Sequence, residues 1–296
     1  MLYFIHALNA LLMIVMPILL GVFLARRLGL KWSLYAVGAV TFVASQVVHI
    51  PLNIGLTALF ANKTLGVPAP PAAWRLPFNA VVLGLTAGLC EEIARYLVYR
   101  YWIKSARTWR EALMFGAGHG GIEAIIFGAL AGIAFMNFVV LRNVAVAALP
   151  VSADQQALAA KQIAEYWAAP WYASLLGAVE RAFALCFHLS AAVLVLQAVT
   201  RRKLLWLVAA ILWHTAINAV SVFVMRTWGV YWAEAAVGVF GVVSLAIIFA
   251  LKPRGAETMP ELASAAPIPE TTLARIPVTD PEADLRRKVD ETRFTS

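Results

Sequence analysis

Four groups of side chains in this sequence have types and spacings suited to chemistry, and each sits in a stretch that is otherwise apolar. The first is Glu91-Glu92-Ile93-Ala94-Arg95. On a helix, Arg95 is within reach of both carboxylates, three and four residues back. Two adjacent carboxylates sharing one guanidinium in a low dielectric do not ionise equally. The guanidinium holds one as an anion and leaves the other as a tunable acid or base. The second group is Phe115-Gly116-Ala117-Gly118-His119-Gly120-Gly121-Ile122-Glu123. His119 and Glu123 share a helix face, and the glycines let a helix, a substrate or water come close. This is not HExxH, so a zincin arrangement within one helix is not available. The third group is Glu180-Arg181 followed by His188. Arg181 and His188 share a face, with Glu180 about a quarter-turn round. An internal Glu–Arg pair that orients neighbouring helices accounts for Glu180 and Arg181 as well as a chemical role does. The fourth group pairs His214 with Asn218. Asn offers neutral donors to an oxyanion, or an interhelical hydrogen bond worth roughly 1 kcal/mol.

The elements that must position these groups are membrane helices. Apolar residues make up 62% of the 296 residues and charged residues 14%, with a mean hydropathy of +0.78. Soluble domains are roughly half apolar and about a quarter charged, so lipid is the solvent for most of this chain. Continuous apolar runs, without strand alternation, exclude a β-barrel. The expected fold is all-α integral membrane with about seven transmembrane helices, near residues 2–24, 33–59, 77–101, 112–140, 171–199, 204–225 and 231–251. The first is read as a retained span, because no basic stretch precedes it. Residues 61–76, with Gly66, Pro68, Pro70 and Pro71, read as an irregular loop, and 152–167 as a short outer helix N-capped by Ser152. Residues 1–251 form the membrane domain, with a motif-bearing core at 77–225. Residues 252–296, rich in Pro and charge, form a disordered cytoplasmic tail.

The formal charge of +8 does not point to nucleic acid, because its Lys and Arg cluster beside apolar runs. Arg26, Arg27, Lys31, Lys104, Arg107, Arg110, Arg201, Arg202, Lys203, Lys252 and Arg254 fall in one set of loops. The other set holds only Lys63, Arg75, Arg142, Lys161 and Arg226. The positive-inside rule puts the first set in the cytoplasm, giving N-out and C-in. Cys90 and Cys186 lie inside spans and form no redox or metal pattern. Counting 1.5 Å per residue from the cytoplasmic helix ends puts His119 roughly 10 Å deep and Glu91, His188 and His214 about 15 Å. One constellation in the cytoplasmic half is therefore expected. His6 and His49 lack such company and read as incidental, and Pro51 as a kink in the second helix.

The four groups, in order on four consecutive spans, resemble the YhfC family of intramembrane proteases, within the wider group of type II CAAX-processing (CPBP/Abi) and PrsW proteases. Glu91-Glu92-x-x-Arg95 resembles the paired-Glu motif and Phe115-x-x-x-His119 the FxxxH motif. His188 stands where a third motif is expected, and His214-x-x-x-Asn218 resembles the last. CAAX proteases place the Arg one residue later, so this chain resembles the YhfC and PrsW branches more than the prenyl-protein processing enzymes.

The resemblance implies a CAAX-protease-like helical core and hydrolysis of peptide bonds in or near the membrane. Glu91 would activate water with His119, His214 and Asn218 would hold the oxyanion, and Glu92 and Arg95 would balance charge. Glu123, Glu180, Arg181 and His188 are supporting or gating candidates. This favoured glutamic mechanism needs no cofactor. The alternative is zinc held by His119, His188 and His214, with Glu91 as fourth ligand or base. The implied partners are lipids and a membrane-protein or peptide substrate, with no nucleic acid. Short loops and an Ala-rich composition point to a bacterial inner membrane. A proton- or cation-coupled transporter and a non-catalytic scaffold are the competing classes.

Overall fold

The computed structural model describes residues 1–61, 70–146 and 150–253, and among these every regular element is helical. In chain order they are α1 (Leu2–Leu28), α2 (Trp32–Ala61), α3 (Ala72–Leu97), α4 (Trp109–Leu141), α5 (Ala153–Ala168), α6 (Leu176–Thr200), α7 (Leu205–Trp228) and α8 (Val230–Ala250). Six of these, α1, α2, α4, α6, α7 and α8, are long and apolar enough to cross a membrane. The 26 residues of α3 are also long enough, but its hydropathy is lowered by Arg75, Glu91, Glu92 and Arg95. The expected number of spans, about seven, is therefore met by these six and α3. A helix satisfies its own backbone in lipid, which is why long apolar runs take this form.

Local signals set the helix ends. Thr108 and Glu111 form a reciprocal capping box at the start of α4, the motif that satisfies two of the otherwise orphaned N–H groups. Arg107 donates to the Tyr99, Ile103 and Ala106 carbonyls, tying down the π-helical turn Val98–Trp102 that ends the third span. Ser152 and Gln155 form a second capping box on α5, a 16-residue helix with no buried residue. Residues 72–76, expected in an irregular loop, are the first turn of α3. Pro71 takes the N-cap position, and Pro77 is accommodated inside the helix. Residues 62–69 of that loop, and the expected tail at 254–296, lie outside the described residues. α2 continues as one helix through Pro51.

Packing sorts the helices around the site. α4 packs on α1, α2 and α6, while α3 packs chiefly on α7, and α8 closes against α6 and α7. Glycines set the closest crossings. A Cβ at Gly84 would lie 2.6 Å from the Thr215 carbonyl oxygen, and one at Gly88 2.8 Å from that of Ile211, so α3 and α7 meet backbone to backbone. A Cβ at Gly118 would collide with the Tyr35 carbonyl, and one at Gly38 with the Phe115 carbonyl, where α2 crosses α4. Backbone atoms cannot yield as a side-chain tip can. Gly118→Ala is therefore expected to cost about 3 kcal/mol, at the upper end for overpacking, and to lower the unfolding temperature in detergent. Gly132→Ala, whose Cβ has only an ordinary contact at 3.7 Å, serves as the neutral control.

Candidate active site

Four spans deliver the expected residues to one buried cluster. Glu92 and Arg95 are fully buried, as is His119, while Glu91 and His214 are 5% and 2% exposed. Arg95 forms an ion pair with Glu92 one turn earlier, and its Nη2 stands 3.8 Å from Glu91 Oε2. The same Nη2 donates to His188 Nδ1 at 2.7 Å. His119 Nε2 lies 3.0 Å from Glu91 Oε2, and His214 Nδ1 lies 2.7 Å from Glu92 Oε1. The two adjacent glutamates thus have separate partners. Glu92 is held by Arg95 and His214, while Glu91 meets His119 and faces a cavity.

That cavity, of about 340 Å³, is lined by Glu91, His188, His214 and Asn218, and also by Glu123 and Arg181. Arg181 Nη1 donates to Glu123 Oε1 at 2.6 Å and also pairs with Glu180. His188 Nε2 donates to Glu123 Oε2 at 2.6 Å. Glu123 and Arg181 therefore orient His188 from the far side of the cavity. The shared face expected of Arg181 and His188 is present, with Glu123 bridging the two.

One further set of residues belongs to the site. His49, expected to be incidental, lines the cavity and is part of a hydrogen-bonded chain that ends on Glu91. Thr86 Oγ donates to Asn53 Oδ1 at 2.9 Å, and Asn53 Nδ2 lies 2.8 Å from His49 Nε2. His49 Nδ1 lies 3.1 Å from Gln46 Oε1, and Gln46 Nε2 donates to Glu91 Oε1 at 3.3 Å. The amide on each side fixes the His49 tautomer: Nδ1 carries the proton and Nε2 accepts. Every donor in the chain then points toward the Glu91 carboxylate. A signal was present in the sequence, since Gln46, His49 and Asn53 repeat at three- and four-residue spacing inside an apolar run.

The donor set accommodates a metal. One ligand atom each from Glu91, His119 and His188 lies within 4.8 Å of the others. Two imidazoles and a carboxylate form a known ligand set for catalytic zinc. His119 Nδ1 is buried without a hydrogen-bond partner, and the imidazole works through Nε2. The charge count agrees: Glu91, Glu92, Glu123 and Glu180 face Arg95 and Arg181, leaving two negative charges before any imidazole is protonated. Of the residues expected around zinc, His188 would have to give up Arg95 or Glu123 to act as a ligand, and His214 lies outside the converging set. Its Nδ1 is engaged by Glu92, and its Nε2 is 4.0 Å from Glu91 Oε2. The packing of α7 on α3 explains this, because it brings His214 alongside the paired glutamates rather than alongside His119.

The profile of a family described as YhfC intramembrane metalloprotease matches residues 12–252. An uncharacterized membrane protein, YhfC, of Bacillus subtilis (strain 168) is 32% identical over 223 residues, covering 74% of this chain and 84% of the relative. No solved structure matches.

Proposed function

Because this chain belongs to the YhfC intramembrane metalloprotease family, we propose that it is an intramembrane endopeptidase in which Glu91 is the general base. The observation that carries this reading is the Glu91–His119 pair, 3.0 Å apart at the buried floor of a cavity that also presents His214 and Asn218.

In this mechanism Glu91 takes a proton from a water molecule in the cavity as that water attacks the peptide carbonyl. His119 orients the carboxylate through Oε2, and Gln46 does so through Oε1. The attack creates an oxyanion, for which Asn218 supplies an amide donor. His214, as an imidazolium, gives Nδ1–H to Glu92 and offers Nε2–H to the oxyanion. Glu91 then returns its proton to the leaving amine. Arg95 keeps Glu92 ionised, so Glu92 takes no part in proton transfer and serves to orient His214. Glu123, Glu180 and Arg181 hold His188 in place. A proton relay would also use a buried carboxylate–imidazole pair; the family description and the amide of Asn218 on the same cavity favour the protease reading.

A second reading is supported by the family description and by the converging donors Glu91, His119 and His188. These residues would hold a divalent metal, which when bound would polarise the carbonyl and acidify the attacking water. Elemental analysis of the purified chain, alongside its cleavage of a membrane-peptide library, distinguishes the two. For the glutamic mechanism we expect cleavage to survive a strong chelator and metal content to be well below one ion per chain. One zinc per chain, lost in His188→Ala together with activity, would instead establish the metal mechanism. A chain that cleaves nothing in the library under either condition would argue against the protease reading. A bacterial inner membrane is the proposed location, and a membrane-protein segment the proposed substrate.

A further inference from the structure

We propose that the substrate reaches Glu91 from the end of the bundle opposite the basic loops, as an extended segment lying in a groove between α2 and α3. What the groove holds rests on the protease reading; the side on which it opens does not.

The direction follows from what surrounds the cluster. One turn toward the basic loops, each of its four helices turns into tightly packed apolar core. Tyr99 follows Arg95, Phe115 precedes His119, Val193 follows His188 and Ala210 precedes His214, all fully buried. Nothing the size of a peptide passes through that layer. On the other side the site cavity continues past Leu83, Ser221 and Val237, each further from the basic loops than the site residue of its own helix or of the neighbouring one. By the positive-inside rule that end is the non-cytoplasmic face.

A second cavity, of about 480 Å³, extends the path. It shares Asn53 and Leu83 with the site cavity and runs between α2 and α3 to Thr57, Asn79 and Arg75. From Arg75 to Glu91 along α3 is roughly 24 Å at 1.5 Å per residue, the length of about seven extended residues. A substrate helix of about 10 Å diameter and that length would fill roughly 1,900 Å³, against about 820 Å³ in the two cavities together. An extended segment, about 4.8 Å by 10 Å in section, takes roughly 1,150 Å³ over that length and is the form nearer to the space present. Such a segment carries unpaired backbone N–H and C=O groups, and Asn79 and Arg75 supply polar partners along the α3 wall. Lipid tails would offer nothing to Asn79 or to the rest of the Arg75 guanidinium, so a peptide is the better occupant.

The test uses the full chain in oriented vesicles, with Cys90→Ala and Cys186→Ala removing the native thiols. Single cysteines replace Asn79, Leu83, Leu85 or Lys104, and a membrane-impermeant maleimide is added to one face at a time. A thiol reacts as its thiolate, which forms in water and not in lipid. Asn79→Cys and Leu83→Cys are expected to label from the face opposite Lys104→Cys, and roughly tenfold faster than Leu85→Cys, which lines neither cavity. Labelling of Leu83→Cys only from the Lys104 face, or no faster than Leu85→Cys, overturns the proposal. In a Glu91→Gln background, a peptide that the wild-type chain cleaves is expected to slow Leu83→Cys labelling when added from the same face. If that peptide is cleaved by the wild type and yet leaves labelling unchanged, the groove is not the substrate path. If no peptide is cleaved at all, the protease reading fails, and the face from which Leu83→Cys labels still decides the direction.

Discussion

Glu91→Gln is expected to lower the rate of peptide cleavage by on the order of a thousandfold while the protein stays folded. The amide has the shape of the carboxylate and can still accept from His119 Nε2 or Gln46 Nε2, so the contacts around it survive. It cannot take a proton from water, which is the role assigned to Glu91. The lost charge is tolerable because Arg95 keeps its closer partner, Glu92, and Glu91 stands 3.8 Å from the guanidinium. His119→Ala removes only one of two groups orienting the carboxylate and is expected to lose roughly a hundredfold. Cleavage rates and unfolding temperatures measured on the same detergent preparations check both. A Glu91→Gln protein that cleaves at the wild-type rate would move the base to another residue, with Glu123 next in line on the same cavity.

Arg95→Met is expected to destabilise the protein by about 4 kcal/mol. Arg95 is fully buried and lies among Glu91, Glu92 and His188. Removing it leaves the Glu92 carboxylate in the interior with only His214 to balance it. Breaking one half of a buried pair costs more than the pair contributes, because the remaining charge is left uncompensated. The double variant Arg95→Met/Glu92→Gln should recover much of the lost stability, since the stranded charge goes too. It should not recover cleavage, because His214 then lacks the carboxylate that orients Nδ1. Thermal unfolding of the two variants in one detergent separates these effects. Equal destabilisation in both would mean that Arg95 acts through packing rather than charge.

The spans were legible in the sequence because lipid imposes one rule on every residue of a crossing segment, and the expected and observed helices differ by a few residues. The start of α3 was missed by five residues, since Pro71 at a helix N-cap and Pro77 inside a helix look in sequence like parts of one loop. The site was legible where a charged residue interrupts an apolar run, as at Glu91, Arg95, Glu123 and Arg181. It was less legible where the signal was neutral. Gln46, His49 and Asn53 share a helical face just as His214 and Asn218 do, but no carboxylate near them in sequence marked them out. Partner choice was hidden altogether. Nothing in the spacing tells Glu91 from Glu92, and only the crossing of α3 with α7 gives Glu92 to His214 and leaves Glu91 to His119.

The glycine crossings carry a mechanical consequence. Those at Gly84 and Gly88 interlock the backbones of α3 and α7, and those at Gly38, Gly116, Gly118 and Gly128 interlock α4 with α2, α6 and α1. The crossings stiffen two bodies, α3 with α7 and α4 with α1, α2 and α6, which the shared apolar core and α8 also hold together as one compact unit. Glu91, Glu92, Arg95 and His214 ride on one, and His119, Glu123, Arg181 and His188 on the other. Between the bodies, the Glu91–His119, Arg95–His188, Gln46–Glu91 and Thr86–Asn53 bonds join side-chain tips, which rotate and re-pair at little steric cost. At the level of the site itself, polar side-chain tips thus meet where the apolar core below meets by packing. On the proposed mechanism, the bonds that align the base are also bonds between the helices, so a substrate group that took the place of one of them would disarm the base while it stayed there.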